Sequence, residues 1–219
     1  MLNIANKTLK LLIGQIRIGV TASKTLLFLW LKYDLKSIDG ELGIDLAGGS
    51  MMNKKFFMTK KYICVDLDKL KLDRGVRNFP DALPVNDKIE NFIKAYNREK
   101  PNLLVCTQTM GINSKFNHDH TLILIKMIYD LLKPGGSMVF NVGNVGVNLS
   151  LIEKELGKLF SRKFKYIKIN SYGFMNKTIK KPNPYFQFFL ANLMNIIPPL
   201  RTCFGFNKTN IYCCFKKKL

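Results

Sequence analysis

Between residues 41 and 160 the sequence alternates short apolar strands with amphipathic helices. This alternation predicts a parallel sheet that is covered by helices on both faces. The predicted strands span residues 42–46, 61–66, 76–79, 102–106 and 137–141, and two late strands follow at 164–172 and 210–215. No ordinary crossover helix separates the two late strands, so we expect them to be adjacent, with one of them antiparallel. The chain is therefore predicted to form a doubly wound α/β fold with a mostly parallel sheet of seven strands.

The first 36 residues are predicted to be helical, in two pieces around residues 19–23. The apolar segment 25–31, TLLFLWL, has only seven residues, whereas a membrane-spanning helix needs about 20. No cleavage site follows it, so it does not resemble a secretory signal. We expect this segment to pack on the sheet.

The chain is strongly basic, with 35 Lys and Arg residues against 15 Asp and Glu residues and a formal charge of +20. Such a charge suggests a nucleic acid, a membrane surface or an anionic substrate. Only six of the basic residues are Arg, the residue that reads phosphates and bases bidentately, so nucleic-acid binding is the less favoured of these. The five cysteines form no C-x-x-C motif and have no His at zinc-ligand spacing. We therefore predict no metal site and a reducing, cytoplasmic location.

A glycine-containing turn follows the first predicted strand. Residues 41–53, ELGIDLAGGSMMN, contain that strand, the turn Ala47-Gly48-Gly49 and, from Met51, the predicted start of a short helix. Because glycine has no Cβ, the backbone of such a turn can approach a ligand closely. Asp45, at the end of the strand, could direct its carboxylate at a cation held above the turn.

Two further acids are predicted to lie at strand ends. Asp66 closes the second strand 17 residues after the glycine turn, where a carboxylate can accept hydrogen bonds from ribose hydroxyls. Asp81 comes just after the predicted third strand, in a predicted tight turn over residues 81–84 that could bind adenine. Each acid taken singly could instead be a solvated loop residue or a helix cap.

These segments together resemble the class I S-adenosylmethionine-dependent methyltransferases, a Rossmann-like family with a seven-stranded sheet. The resemblance rests on GIDLAGGS (43–50), YICVDLD (62–68), DALPV (81–85) and LLKPGGSMVF (131–140), in that order. It implies S-adenosylmethionine as the cofactor. A nicotinamide enzyme is not favoured, because its G-x-G-x-x-G fingerprint is missing.

The resemblance also implies roles for individual residues. The cofactor's methionine part would be held by Asp45, Ala47, Gly48 and Gly49, its ribose by Asp66, and its adenine by Asp81, Ala82 and Leu83. Two residues depart from the family pattern, since Ala47 replaces the first glycine of the turn and Met51 replaces a later one. The whole chain is predicted to be one domain, with N-terminal helices (1–36), a cofactor-binding core (37–172), an apolar and basic insert (173–209) and a closing strand (210–219).

The loop after the fourth strand carries the candidate catalytic residues. His118 and His120, the two histidines of the chain, lie there together with Gln108, Thr107 and Asp119. A histidine could take the proton from a substrate hydroxyl near neutral pH. Alternatively, Asn117 or Asp119 caps a helix and both imidazoles face solvent.

Residues 185–200, YFQFFLANLMNIIPPL, form an uncharged segment between basic flanks. The segment could cover the acceptor site or pack in the core, lie on an anionic membrane surface, or contact a second copy of the chain. We predict methyl transfer to a small-molecule, lipid-linked or glycan-linked acceptor. An RNA methyltransferase and a non-catalytic cofactor-binding or membrane-associated protein remain the alternatives.

Overall fold

The computed structural model describes residues 22–112, 116–160, 163–174, 184–203, 205 and 207–219. The first of the two predicted N-terminal helical pieces lies outside these residues. The second is present as helix α1, and its apolar side chains pack on the sheet as predicted.

A seven-stranded sheet forms the centre of the fold, in the order β3-β2-β1-β4-β5-β7-β6. Strand β7 runs antiparallel to both of its neighbours, and the other strands are parallel to one another. The predicted fold class is therefore confirmed, including the antiparallel late strand. The strands are β1 (Asp39–Leu46), β2 (Met58–Asp66), β3 (Leu83–Asn86), β4 (Leu103–Met110), β5 (Ser137–Gly143), β6 (Phe164–Tyr172) and β7 (Asn210–Lys217).

Helices cover both faces of the sheet. They are α1 (Ala22–Leu35), α2 (Lys69–Asn78), α3 (Ile89–Ala95), α4 (His118–Leu131), α5 (Leu149–Phe160), α6 (Pro184–Ile196) and α7 (Pro199–Cys203). The apolar side chains of α1, α2 and α6 form one core with one face of the sheet, and those of α3, α4 and α5 form a second core with the other face. The first four residues of the central strand β4, Leu103–Cys106, are apolar because both faces of the strand are buried there.

The predicted third strand at residues 76–79 was wrong. These residues belong to helix α2 and the turn after it, and the third strand is Leu83–Asn86. Gly75 lies within α2, and a Cβ at this position would lie 2.6 Å from Cγ of the buried Met51. The glycine therefore allows α2 to pack closely, which offsets its low helix propensity.

The helix predicted to start at Met51 is reduced to a turn followed by a single 3₁₀ turn, Lys54–Phe56. The connection between the parallel strands β1 and β2 is therefore unusually short. Met51 is fully buried, and its side chain points into the core against Gly75.

One face of the uncharged insert packs in the core, and the opposite face is exposed. Leu190, Ala191 and Met194 of α6 are buried, and α6 contacts α1 and β6. Two amide side chains fasten the helix to the edge strand. Gln187 exchanges two hydrogen bonds with the backbone of Phe174, and Asn195 exchanges two with the backbone of Ser171. Within the described part of the chain, no helix is long and apolar enough to cross a membrane.

This packing predicts opposite outcomes for two adjacent apolar residues of α6. Leu190→Ala should lower the free energy of unfolding by about 3 kcal/mol, because Leu190 is only 3% exposed and its truncation leaves a cavity. Phe189→Ala should change it by less than about 0.5 kcal/mol, because Phe189 is 57% exposed. Urea unfolding of both variants measures the difference, and equal losses of stability would contradict the observed orientation of α6.

Candidate active site

A cavity of about 550 Å³ opens above the carboxyl ends of β1, β2 and β4. A smaller cavity of about 130 Å³ adjoins it and shares four lining residues, Ala47, Asp66, Leu67 and Thr109. The two cavities form one groove beyond the carboxyl ends of the strands, which is where open α/β proteins bind their ligands.

The turn after β1 forms the floor of this groove. Ala47 and Gly49 both have left-handed backbone conformations, with φ of 56° and 54°. A Cβ at Gly48 would lie 2.6 Å from both Asp45 Oδ2 and Cys64 Sγ. The turn therefore lies directly on the buried residues beneath it, and a side chain at Gly48 would displace it from them.

Asp66 lines the groove at the end of β2. Its Oδ2 accepts a hydrogen bond from the Gly49 N–H at 2.8 Å, and its Oδ1 accepts one from the Asp68 N–H at 2.8 Å. A carboxylate has about four lone-pair positions, so each oxygen can also accept a hydrogen bond from a ligand hydroxyl. Asp66 is thus held in a fixed orientation next to the glycine turn.

Asp45 lies one layer below the groove and is fully buried. Tyr62 Oη donates a hydrogen bond to its Oδ2 at 2.8 Å, and Asn53 Nδ2 donates one to its Oδ1 at 3.2 Å. Burial raises the pKa of the Asp45 carboxyl to about 7, although these two hydrogen bonds act in the opposite direction. Asp45 therefore supports the turn and does not line the cavity that lies above it.

The raised pKa of Asp45 predicts a pH-dependent stability. The native pKa of about 7 lies above the ordinary value of 3.8, so between these values the folded protein binds a proton that the unfolded chain releases. The free energy of unfolding contributed by this group should therefore fall as the pH rises from about 4 to about 7. Asp45→Asn should unfold at more similar urea concentrations at pH 5 and pH 8 than the unsubstituted protein does. Asp73→Asn, which alters an exposed acid, should keep the original difference.

Asp81 does not lie after the third strand, as predicted, but before it. Its carboxylate is exposed and pairs with Lys54 Nζ at 3.1 Å. Ala82 is buried in the core and Leu83 is the first residue of β3, so neither lines the groove. The cause of the error is the register of β3, in which Leu83 pairs with Ile63 and Asn86 pairs with Asp66. The carboxyl end of β3 therefore lies at Asn86.

The smaller cavity is lined by residues that sequence reasoning did not select. They are Asp87, Lys88, Ile89 and Glu90 after β3, together with Phe116. Asn86 Nδ2 joins this segment to the end of β2 by hydrogen bonds to the carbonyl oxygens of Asp66 and Leu67. Asp87, which directly follows residues 83–86, could have indicated this site from the sequence. Pro84, however, suggested a turn at these residues and not a strand. Proline is compatible with β3 because β3 is an edge strand.

The end of β4 forms the opposite wall of the groove. The pairing of β4 with β5 is irregular between Cys106 and Met110, and Gln108 has a left-handed φ of 59°. Asn141 Oδ1 holds this conformation by accepting a hydrogen bond from the Gln108 N–H at 2.7 Å. Thr107, Gln108 and Thr109 all line the cavity as a result.

The two histidines are placed differently from Gln108. His118 begins helix α4, and its Nε2 lies 3.8 Å from Glu155 Oε2 of α5. His120 is exposed. Neither histidine lines either of the two cavities, and neither does Asp119. Asn117 caps α4 by accepting a hydrogen bond from the His120 N–H at 2.9 Å. Of the three principal catalytic candidates, the structure brings only Gln108 into the groove. No cluster of potential metal ligands occurs among the described residues.

Solved methyltransferase structures resemble this chain over most of its length. An rRNA methylase from Streptococcus thermophilus is 15% identical, with a TM-score of 0.56, and the match covers 93% of this chain and 99% of that one. The N-methyltransferase NodS from Bradyrhizobium japonicum is 9% identical, with a TM-score of 0.53 and coverage of 89% and 94%. The plantazolicin methyltransferase BamL, solved with SAH, is 11% identical, with a TM-score of 0.53 and coverage of 90% and 85%. Comparisons with protein-family models and with curated proteins found no match.

The sheet order and these structural matches together define the fold class. The chain has the Rossmann-like, seven-stranded fold of the class I S-adenosylmethionine-dependent methyltransferases. In this fold, the groove is formed by the glycine turn after β1, the acid that ends β2 and the irregular end of β4.

Proposed function

We propose that this protein is an S-adenosylmethionine-dependent methyltransferase. The observation that carries the proposal is Asp66, whose carboxylate is fixed by the backbone of Gly49 and Asp68 beside the groove. A carboxylate at the end of the second strand, next to a glycine turn, is suited to bind both hydroxyls of a ribose. The likeness of the fold to solved methyltransferases supports the same function.

The residues of the groove fit the cofactor along its length. The small residues Ala47, Gly48 and Gly49 leave room for its methionine part, and Asp66 binds its ribose. The apolar side chains of Leu67, Ile89 and Phe116 enclose the adenine, and the Asp87 carboxylate is available to its amino group. S-adenosylmethionine supplies an electrophilic methyl group when it is bound. The protein orients the acceptor and excludes water from it.

The acceptor that we propose is a small molecule, free or attached to a lipid or a glycan. This proposal is supported by the concave groove, which continues between α1 and the end of β4, with Phe28 and Met52 among its lining residues. A concave site with apolar walls is typical of small-molecule binding. If the acceptor is lipid-linked, sedimentation of the protein with anionic vesicles would reveal contact through Phe189, Ile196 and Ile197, the exposed apolar residues at 185–200.

A purified-protein experiment tests the function. Calorimetry should detect binding of S-adenosylmethionine and S-adenosylhomocysteine, with no binding of NADH as the control. Tritium from methyl-labelled S-adenosylmethionine should then be transferred to a component of a fractionated cell extract. Absence of cofactor binding would exclude the proposed function, and binding without transfer would favour a non-catalytic cofactor-binding protein.

RNA is the second candidate acceptor, because of the excess of basic over acidic residues and the likeness to the rRNA methylase. The same labelling experiment separates the two candidates. Label that becomes acid-soluble after ribonuclease treatment would favour RNA, and label in the small-molecule fraction before that treatment would favour the proposed acceptor.

A further inference from the structure

Under the proposed function, the end of the groove on the opposite side of β1 from Asp66 is available to the acceptor. Strands β2 and β4 flank β1, so the ends of these two strands are separated by two strand spacings, about 10 Å. At this end the groove is lined by Lys24 and Phe28 of α1, by Met52, and by Thr107 and Gln108 after the regular part of β4. Lys24 is the one ionisable side chain in this set, and its Nζ lies 5.6 Å from the centre of the Phe28 ring.

Asn53 holds the hydroxyl of Thr107 in position at the wall of the groove. Asn53 Nδ2 donates one hydrogen bond to Asp45 Oδ1 and another, at 3.1 Å, to Thr107 Oγ1. Thr107 Oγ1 accepts this hydrogen bond and lines the cavity, where a hydroxyl can also donate to a ligand.

Gln108 presents an amide, which does not titrate and cannot act as a general base. Its backbone has a strained left-handed conformation, which the hydrogen bond to Asn141 stabilises. In this conformation the exposed side chain lines the groove. Such strain in a residue other than glycine is common where a side chain has to be positioned for function. The amide NH₂ of Gln108, the hydroxyl of Thr107 and the ammonium of Lys24 are all hydrogen-bond donors.

A general base is missing from this end of the groove, as far as the described residues extend. His118 and His120 do not line it, and Asp45 lies below the turn with both of its oxygens hydrogen-bonded. The acids that do line the large cavity are Asp66 and Asp68, which lie at the β2 side. Asp66 is bound by backbone N–H groups, and Asp68 pairs with Lys71 Nζ at 3.1 Å.

On the basis of the proposed function, we infer that the methylated atom is an oxygen that is already negatively charged, as in a carboxylate or an acidic enol or phenol. In the transfer, this oxygen attacks the methyl carbon and forms the C–O bond. The bond between the methyl carbon and the sulfonium sulfur breaks, and its electron pair remains on sulfur. No proton is transferred, so no base is needed, and the opposite charges of the reactants are both neutralised.

A negatively charged oxygen is bound more favourably by Lys24, Thr107 and Gln108 than an amine or an ordinary alcohol would be. The three side chains line the same end of the groove, where hydrogen bonds from them would stabilise an oxyanion. A protonated amine would be repelled by Lys24 and would have to lose a proton before it could react. An aliphatic alcohol would need a base, which the described residues at this end do not supply.

The charge of the labelled product tests the inference. The protein is incubated with methyl-tritiated S-adenosylmethionine and extract fractions, and each product is compared with its acceptor by anion exchange at pH 8. We expect the product to elute with one negative charge fewer than the acceptor. Treatment with alkali then distinguishes a carboxylate acceptor from an enol or phenol, because a methyl ester releases volatile tritiated methanol whereas an aryl or enol methyl ether does not.

Label retained on a cation exchanger, label in RNA, or a product with unchanged charge would overturn the inference while leaving the methyltransferase function intact. A protein that binds the cofactor without transferring label would refute both.

A substitution on α1 tests the role of Lys24. Lys24→Gln should raise the KM for the labelled acceptor fraction about tenfold and leave the affinity for S-adenosylhomocysteine unchanged in calorimetry. Lys32→Gln, an exposed lysine on the same helix, is the matched control and should change neither value. Weaker binding of S-adenosylhomocysteine by Lys24→Gln, with an unchanged KM for the acceptor, would show that Lys24 holds the cofactor and would overturn this role.

Discussion

Asp66→Ala is expected to weaken S-adenosylmethionine binding by at least tenfold. The substitution removes the carboxylate that is placed to bind the ribose hydroxyls and also the acceptor of the Gly49 N–H. Hydrogen bonds to charged groups are each worth about 1.5–3 kcal/mol, so the loss of two such bonds corresponds to a tenfold effect or more. Titration calorimetry with S-adenosylmethionine measures it.

Two further variants make this experiment specific. Asp66→Asn should retain part of the affinity, because the amide keeps one acceptor oxygen. Asp73→Asn removes an exposed acid of α2 that pairs with Lys69, so it should not change the affinity. Unchanged binding by Asp66→Ala would remove the ribose assignment, and it would leave the fold assignment untouched.

Gly111→Ala is expected to destabilise the protein by about 3 kcal/mol or more. Gly111 follows β4 with a φ of 59°, and a Cβ there would lie 2.1 Å from the carbonyl oxygen of Gly143 at the end of β5. The left-handed conformation costs about 1–2 kcal/mol for an alanine, and overpacking against a backbone adds about 1–3 kcal/mol. The clash cannot be relieved by rotating a side chain, because the atom it meets belongs to the main chain.

The matched control for this prediction is Gly157→Ala in helix α5. Nothing lies within 4 Å of a Cβ built at Gly157. This glycine is exposed within a helix, so alanine should raise the stability by about 1 kcal/mol. Urea unfolding of the two variants should therefore give shifts of opposite sign. A neutral Gly111→Ala variant would contradict the close approach of β4 and β5 beside the groove.

The parts of the fold that follow from local pattern were predictable. Strands β1, β4 and β5 each contain a short buried apolar run that was predicted as a strand. The Lys-Pro-Gly-Gly turn does follow helix α4, but its glycines do not cap that helix, because the helix ends at Leu131 with Leu132 extended, and Gly135, with a φ of 74°, lies in the turn after it. The antiparallel end of the sheet was predicted correctly, although the insert between β6 and β7 contains the helices α6 and α7, which the prediction did not expect as a crossover.

The adenine end of the groove was not predictable in the same way. Asp81 and Asp87 both flank the short run 83–86, and the sequence does not state which of them lies at the carboxyl edge of the sheet. Pairing with β2 decides this, since Asn86 lies beside Asp66. The histidines were misjudged for a related reason, because the direction in which α4 leaves the β4 loop takes His118 toward Glu155 of α5.

The sequence by itself determined six of the seven strands, the glycine turn after β1 and Asp66 at the end of β2, because these depend on local backbone preference and on the periodicity of apolar residues. Only the tertiary structure decided that Asp45 is buried beneath the turn, that Asp81 lies outside the groove, and that Lys24 of α1 lines the same cavity as Thr107 and Gln108. These placements depend on strand register and helix packing between residues that are far apart in the chain, and no local pattern records them.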